Sequence, residues 1–134
     1  MIKNLFNHSK DFQSWHFKKK NIHENKKIPY FYEREIWWCS IGLNIGFEQD
    51  GKNINFERPA IILKKFNRYI LWMIPLTSKQ KTGKYYYSFN FKNISNVAIL
   101  SQLRLISSQR LLRKIGMLPE KDFLKIKDIV KKFL

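Results

Sequence analysis

RPAIILKKFNRYILWMIPLT (58–77) decides the fold. Two apolar runs, Ala60 to Phe66 and Tyr69 to Leu76, flank Asn67 and Arg68. The runs are short and rich in β-branched and aromatic residues. With asparagine at the junction, they predict two antiparallel strands joined by a tight hairpin. Pro59 fixes φ at the strand entrance and biases Arg58 toward an extended conformation. Counting outward from the turn puts Arg58 opposite Thr77 at the open end, where both side chains can meet one ligand. The alternative is an arginine that only bonds Glu57 or a carbonyl, and spacing alone does not choose between them.

On either side of the hairpin the period stays near two. Ile36 to Ile41 reads as a strand with Trp37, Cys39 and Ile41 on one face and Ile36 and Trp38 on the other. In YYYSFNF (85–91), Tyr85, Tyr87, Phe89 and Phe91 alternate with polar neighbours, and Val97 to Leu100 is a fifth short strand. Five short strands with short connections predict a mainly β fold, a small barrel or sandwich, rather than a parallel α/β sheet. A helix is expected at each end. From Ser9 to Asn25, Phe12, Trp15, Lys19 and Ile22 form one stripe, stopped by Lys26, Lys27 and Pro29. From Pro119, Glu120 and Asp122 suit the positive end of a helix whose stripe is Phe123, Ile126, Val130 and Phe133. Residues 1–33 thus read as a helical extension and 34–134 as the β-barrel domain with its C-terminal helix.

The chain has 134 residues, 44% hydrophobic, enough to bury a core without disulfides or metals. Its net charge of +16 is spread along the sequence: +5 over 1–34, +5 over 35–103 and +6 over 104–134. A fold this basic attracts a polyanion, with nucleic acid first, an acidic protein partner second and an anionic membrane third; solubility by lysine alone is the bland reading. The single cysteine, Cys39, excludes an internal disulfide and fits a reducing compartment. Within IWWCSI it reads as a buried, inert thiol. The N-terminus lacks a signal-peptide pattern and the longest apolar stretch, YILWMIPL (69–76), is too short to span a bilayer. These features predict a cytoplasmic protein with no membrane partner.

No metal and no cofactor are expected, since His8, His16 and His23 all lie in the N-terminal segment without a cysteine pair. A Walker loop, G-x-G-x-x-G and G-x-S-x-G are absent, which argues against a nucleotide hydrolase or an esterase. What remains is a set of polar residues at strand ends. Glu48 and Gln49 follow the first strand, Arg58 enters the second, and Thr77 and Ser78 leave the third. Loop 78–84, SKQKTGK, brings Lys79, Lys81 and Lys84 to the same end. A guanidinium, a hydroxyl and ammonium groups around one point make a phosphate site. Neighbouring tyrosines and tryptophans suit stacking on unpaired bases, which favours single-stranded RNA over duplex. Core packing accounts for most of those aromatics.

REIWWCSIG (34–42), EQDG (48–51), ERPAIIL (57–63), PLTSK (75–79) and LSQLRLISSQRLLRKIG (100–116) resemble, in order, the PemK/MazF toxins of type II toxin–antitoxin systems. The resemblance implies an SH3-like β-barrel, a homodimer, and a metal-independent, sequence-selective endoribonuclease that cuts single-stranded RNA and is neutralised by an antitoxin. It implies catalytic roles for Arg58 and Thr77, with Glu48 and Gln49 in the loop motif and Gln102 and Arg104 in the second polar motif. The implied reaction is attack of a ribose 2′-OH on its own phosphate, leaving a 2′,3′-cyclic phosphate and a 5′-OH. Arg58 would hold the developing charge and Thr77 donate a hydrogen bond; the base is Glu48 or Arg58 itself. The chain departs from the family pattern at Lys52 to Glu57, which separate the loop glycine from the arginine, and at Ser107, where the family often has Asp. The barrel also resembles the gyrase-directed CcdB toxins, so a protein-directed toxin and a non-catalytic nucleic-acid-binding module are the alternatives.

Overall fold

The computed structural model describes residues 9–134. His8 lies outside that range. Helix α1 (Phe12–Glu24) precedes seven strands: β1 (Glu35–Ser40), β2 (Glu57–Lys65), β3 (Ile70–Thr77), β4 (Tyr86–Phe91), β5 (Ile94–Ile99), β6 (Arg104–Ser107) and β7 (Leu111–Met117). Helix α2 (Glu120–Lys131) closes the chain. The strands form one antiparallel sheet in the order β4-β5-β3-β2-β1-β7, with β6 paired to β3. β6 and β7 are additional to the five strands expected from sequence.

The central strands are buried on both faces, which explains why they read as continuous apolar runs. On one face Ile36, Ile61, Leu63, Ile74 and Leu76 pack with Phe89 and with Phe123 and Ile126 of α2. On the other, Trp37, Cys39, Ala60, Ile62, Leu71 and Met73 pack with Phe31, Ile106 and Leu111. Ile61, Ile62, Leu71, Met73 and Ile74 are fully buried. At about 1.5–3 kcal/mol for each such side chain, the β2–β3 hairpin is the main hydrophobic anchor of the sheet.

The hairpin turn is wider than the expected two residues: Lys65 pairs with Leu71, and Phe66 N donates to Ile70 O at 3.2 Å. A bulge between Ile62 and Lys64 then shifts the register by one, so that Ile62 faces Met73 and Ala60 faces Pro75. The shift at the turn and the shift at the bulge cancel. Continued by two residues, the register sets Arg58 across from Thr77.

β3 changes partners along its free side, pairing β6 over Ile70–Met73 and β5 over Leu76–Thr77. The 3₁₀ turn Leu100–Gln102 carries the chain from β5 to β6 across that gap. Pro75, which has no N–H to donate, sits where the partners change.

The N-terminal helix starts later than expected, at Phe12 with Asp11 as N-cap, ends at Glu24 as expected, and has a narrower buried face. Only Trp15 is buried; Lys18 and Ile22 are half-buried, whereas Phe12 and Lys19 of the expected stripe are exposed. In α2 the expected face holds, with Phe123 and Ile126 buried and Val130 packed against them, and Pro119 is the N-cap. Phe133 lies beyond the helix, with its ring 5.0 Å from that of Tyr85. Among the described residues no helix is long and apolar enough to cross a membrane.

Candidate active site

Arg58 is 8% exposed and Thr77 is also buried at the open end of the hairpin. Odd–even alternation puts Arg58 on the Ala60 face of β2 and Thr77 on the Pro75 face of β3, the same side of the sheet. They line a cleft of about 260 Å³ together with Trp38, Lys52, Asn53, Glu57, Pro59, Leu76, Ser78 and Asn96.

The guanidinium is held on three sides. Nε donates to Asp50 O at 2.7 Å and Nη1 to Leu76 O at 3.3 Å. With the Gln49 amide oxygen turned toward the guanidinium, it accepts from Nη2 at 2.7 Å and from Nε at 3.1 Å. An arginine has five N–H donors, so Nη hydrogens remain for a ligand. Burial pushes the Arg58 pKa down, against an upward pull from the Asp50 carboxylate. Thr77 Oγ1 accepts from Lys79 N at 3.2 Å, and its hydroxyl hydrogen is left to be donated elsewhere.

Glu57 is not the partner of Arg58. It is 4% exposed and takes a bidentate pair from Arg113, at 3.0 Å from Nη1 and 2.8 Å from Nη2. Those bonds, with help from Asn53 and Asn55, outweigh burial and hold its carboxyl below the ordinary range. The mouth of the cleft therefore carries a neutralised carboxylate beside an arginine paired chiefly to neutral oxygens.

Loop 41–56, between β1 and β2, reaches this geometry through two glycines. A Cβ at Gly51 would lie 1.8 Å from Phe56 O, and Gly42 has φ +81° with the Trp15 ring against it. The inserted residues 52–57 fold back on themselves. Lys52 N donates to Glu57 O at 2.8 Å and Glu57 N to Lys52 O at 2.9 Å. Ile54, at the tip, is 86% exposed.

The other sequence-selected residues divide between a second cleft and open surface. Glu48, Gln49, Gln102 and Arg104 line a cleft of about 320 Å³ beside the β3 partner switch, with Asn44, Met73 and Pro75. Gln49 joins the two clefts: its side chain meets Arg58, and its N–H donates to Gln102 Oε1 at 3.2 Å. Arg104 Nη1 reaches Asn44 Oδ1 at 3.5 Å. Glu48 Oε1 accepts from Ile45 N at 3.0 Å, within its own turn. Lys79, Lys81 and Lys84 are exposed and line neither cleft, and Lys84 Nζ lies 5.0 Å over the Tyr85 ring. Lysine is instead supplied by Lys52, which sequence reasoning placed in an insertion without a role. Asp50 was also missed; its contribution is a main-chain oxygen, which no side-chain pattern announces.

Cys39 is fully buried and its burial drives the thiol pKa far up. His16 and His23 are exposed. Among the described residues, no group of three or more His, Cys, Asp or Glu is arranged to hold a metal ion.

A small basic β-barrel with an arginine-centred cleft at its strand ends is the class these features define. Residues 32–134 match the family model described as PemK-like, MazF-like toxin of type II toxin-antitoxin system, and the chain belongs to that family. No curated protein matches the chain by sequence. Among solved structures it is similar to MazF from Deinococcus radiodurans, with TM-score 0.62 and 15% identity, covering 81% of this chain and 97% of that one. It is also similar to an endoribonuclease in complex with its cognate antitoxin from Mycobacterial species, with TM-score 0.60 and 11% identity over 77% of this chain and 93% of that one. A third is the Mycobacterium tuberculosis toxin MazF-mt6, with TM-score 0.57 and 16% identity over 74% of this chain and 94% of that one. At these identities the likeness is one of fold.

Proposed function

We propose that the protein is an endoribonuclease toxin that cuts single-stranded RNA sequence-selectively without a metal, with Arg58 and Thr77 as its catalytic pair. The carrying observation is the arginine, buried, held by main-chain oxygens and Gln49, and set across the hairpin from Thr77 in one cleft. In the reaction the 2′ oxygen forms a bond to the adjacent phosphorus and the P–O5′ bond breaks. A 2′,3′-cyclic phosphate and a 5′-OH result. Charge builds on the non-bridging phosphoryl oxygens, and a fixed guanidinium stabilises it without reorganising. Thr77 donates a further hydrogen bond to those oxygens.

Protons must leave the 2′-OH and reach the 5′ oxygen. Glu48 and Arg58 are the two candidates for the base. Glu48→Gln separates them: unchanged cleavage removes the carboxylate from the mechanism. Gln49, Gln102 and Arg104 in the second cleft, and Lys79, Lys81 and Lys84 beyond Ser78, are proposed to hold the RNA on either side of the cut. The antitoxin, a second copy of the chain as homodimer partner, and a cytoplasmic location belong to the same proposal. The location is supported by the unpaired, buried Cys39.

The test is incubation of wild type, Arg58→Ala and Thr77→Val with a long mixed-sequence RNA in EDTA, followed by mapping of ends. Discrete cuts bearing 5′-OH ends are expected with wild type, and a rate lower by about 10²–10³ with Arg58→Ala. Equal cutting by Arg58→Ala would overturn the assignment of the pair. RNA binding without cutting by wild type would make the protein a binding module.

A further inference from the structure

Residues 10–25 precede the family match, which begins at residue 32, yet they are packed on the loop that positions Arg58. They meet loop 41–56 at three places. Lys10 Nζ is 3.0 Å from Asp50 Oδ2 and also donates to the main-chain oxygens of Asn44 and Gly46. Trp15 lies against Gly42, where a Cβ would be 2.1 Å from its ring, so the loop is shaped to receive that tryptophan. The Trp15 and Phe56 ring centroids are 5.5 Å apart at the far end of the loop.

Asp50 relays the contact. Its Oδ1 accepts from Asn44 N at 2.6 Å, and its main-chain oxygen accepts from Arg58 Nε at 2.7 Å. Lys10 therefore holds the side chain of the residue whose backbone aims the guanidinium. Its own side chain is 17% exposed and that of Asp50 26%, so the pair is shielded more than a surface ion pair. The Gln109 amide fixes the other end of the helix by donating to the main-chain oxygens of Ile22, His23 and Asn25 at 3.2, 3.0 and 2.9 Å.

We propose that Lys10 is a positioning residue for Arg58, acting through Asp50, and that α1 is the strut that keeps it there. The catalytic consequence rests on the proposed role of Arg58; the geometric one does not. The physical reason is that a loop of this length has many conformers, and a phosphoryl-transfer donor misplaced by about 1 Å loses on the order of 10²-fold in rate. Two main-chain oxygens and one carboxylate of the loop, tied to an element outside it, remove most of those conformers.

The experiment compares wild type, Lys10→Met, Lys10→Arg and Asp50→Asn, each as the full chain. Two readouts are taken: solvent exchange of the Arg58 Nε–H by ¹⁵N NMR, assigned with Arg58→Lys, and kcat and KM for RNA cleavage. Lys10→Met is expected to speed Nε–H exchange by about tenfold and lower kcat by about tenfold with KM within about twofold, and Lys10→Arg to restore most of both. Asp50→Asn keeps the main-chain oxygen and loses the ion pair, so an effect in the same direction is expected. Unchanged exchange in Lys10→Met overturns the proposal, even if its Tm falls. If wild type cuts no RNA, the role of Arg58 fails while the exchange measurement still decides the role of Lys10.

Discussion

At Arg58 the bonding pattern makes charge an insufficient description. Three acceptors around one guanidinium fix its plane, and a lysine ammonium cannot satisfy Asp50 O, Leu76 O and Gln49 together while facing the cleft. Arg58→Lys is therefore expected to lose cleavage by about 10², close to the alanine variant, in single-turnover assays. A second residue-scale consequence concerns acid. The carboxyls of Glu57 and Glu35 both lie below their ordinary 4.5 in the folded chain. For Glu57 the bonds from Arg113 lead; for Glu35 burial opposes, and bonds from Lys114, Trp37 and Tyr32 overcome it. Groups depressed on folding contribute stability above the unfolded value, lost as pH falls through the folded one. Tm should fall as the pH drops below about 4.5, less steeply in Glu57→Gln, as thermal melts across that range would record. The position of Arg58 across from Thr77 was legible because proline and the aliphatic run fix strand and face. Which partners it takes was not: of Glu57 or a carbonyl it takes carbonyls, those of Asp50 and Leu76, and Gln49 besides, and a main-chain oxygen leaves no mark in a side-chain pattern.

Among the elements, those with two buried faces, clean alternation or one strong stripe were readable: β1 to β4 and α2, with β5 read in its C-terminal half. β6 and β7 were not. They carry Leu105, Arg113 and Lys114 on exposed positions and are split by the 3₁₀ turn Ser108–Arg110, so LRLISSQRLLRKIG shows no clean alternation. The β2–β3 register was read correctly through compensating irregularities, since nothing in KKFNRY reveals a bulge at Leu63. The β4–β5 connection was also missed: Lys92 and Asn93 both have positive φ, 51° and 63°, which a two-residue primed turn requires. Asn93→Gly should raise the urea midpoint, by about 0.5 kcal/mol of stability, because glycine takes that conformation without strain. Gly42→Ala should do the opposite: at φ +81° and against the Trp15 ring it either strains the loop or lifts α1. Increased exposure of Trp15, read by fluorescence quenching, would report the second outcome.

For the whole molecule, +16 over 134 residues would make the proposed association with RNA electrostatic before it is specific. A surface engaging four phosphates should lose about 50-fold in affinity between 50 and 200 mM salt, and binding by Arg58→Ala should keep most of that slope. A flat salt dependence would mean that the positive field is not used on RNA. The distribution of charge was plain in the sequence, but the two clefts joined by Gln49 were not, since the path of loop 41–56 follows no period.

Cys39 adds a kinetic handle to this picture. It is the only thiol and is fully buried, paired with Arg58 of β2 on one side and with Leu111 of the edge strand β7 on the other. Its modification by a thiol reagent should await parting of β1 from its neighbours, so the labelling rate, independent of reagent concentration once that is high, measures how often that seam opens. Cys39 lets that interval be read directly, with and without the antitoxin proposed to bind.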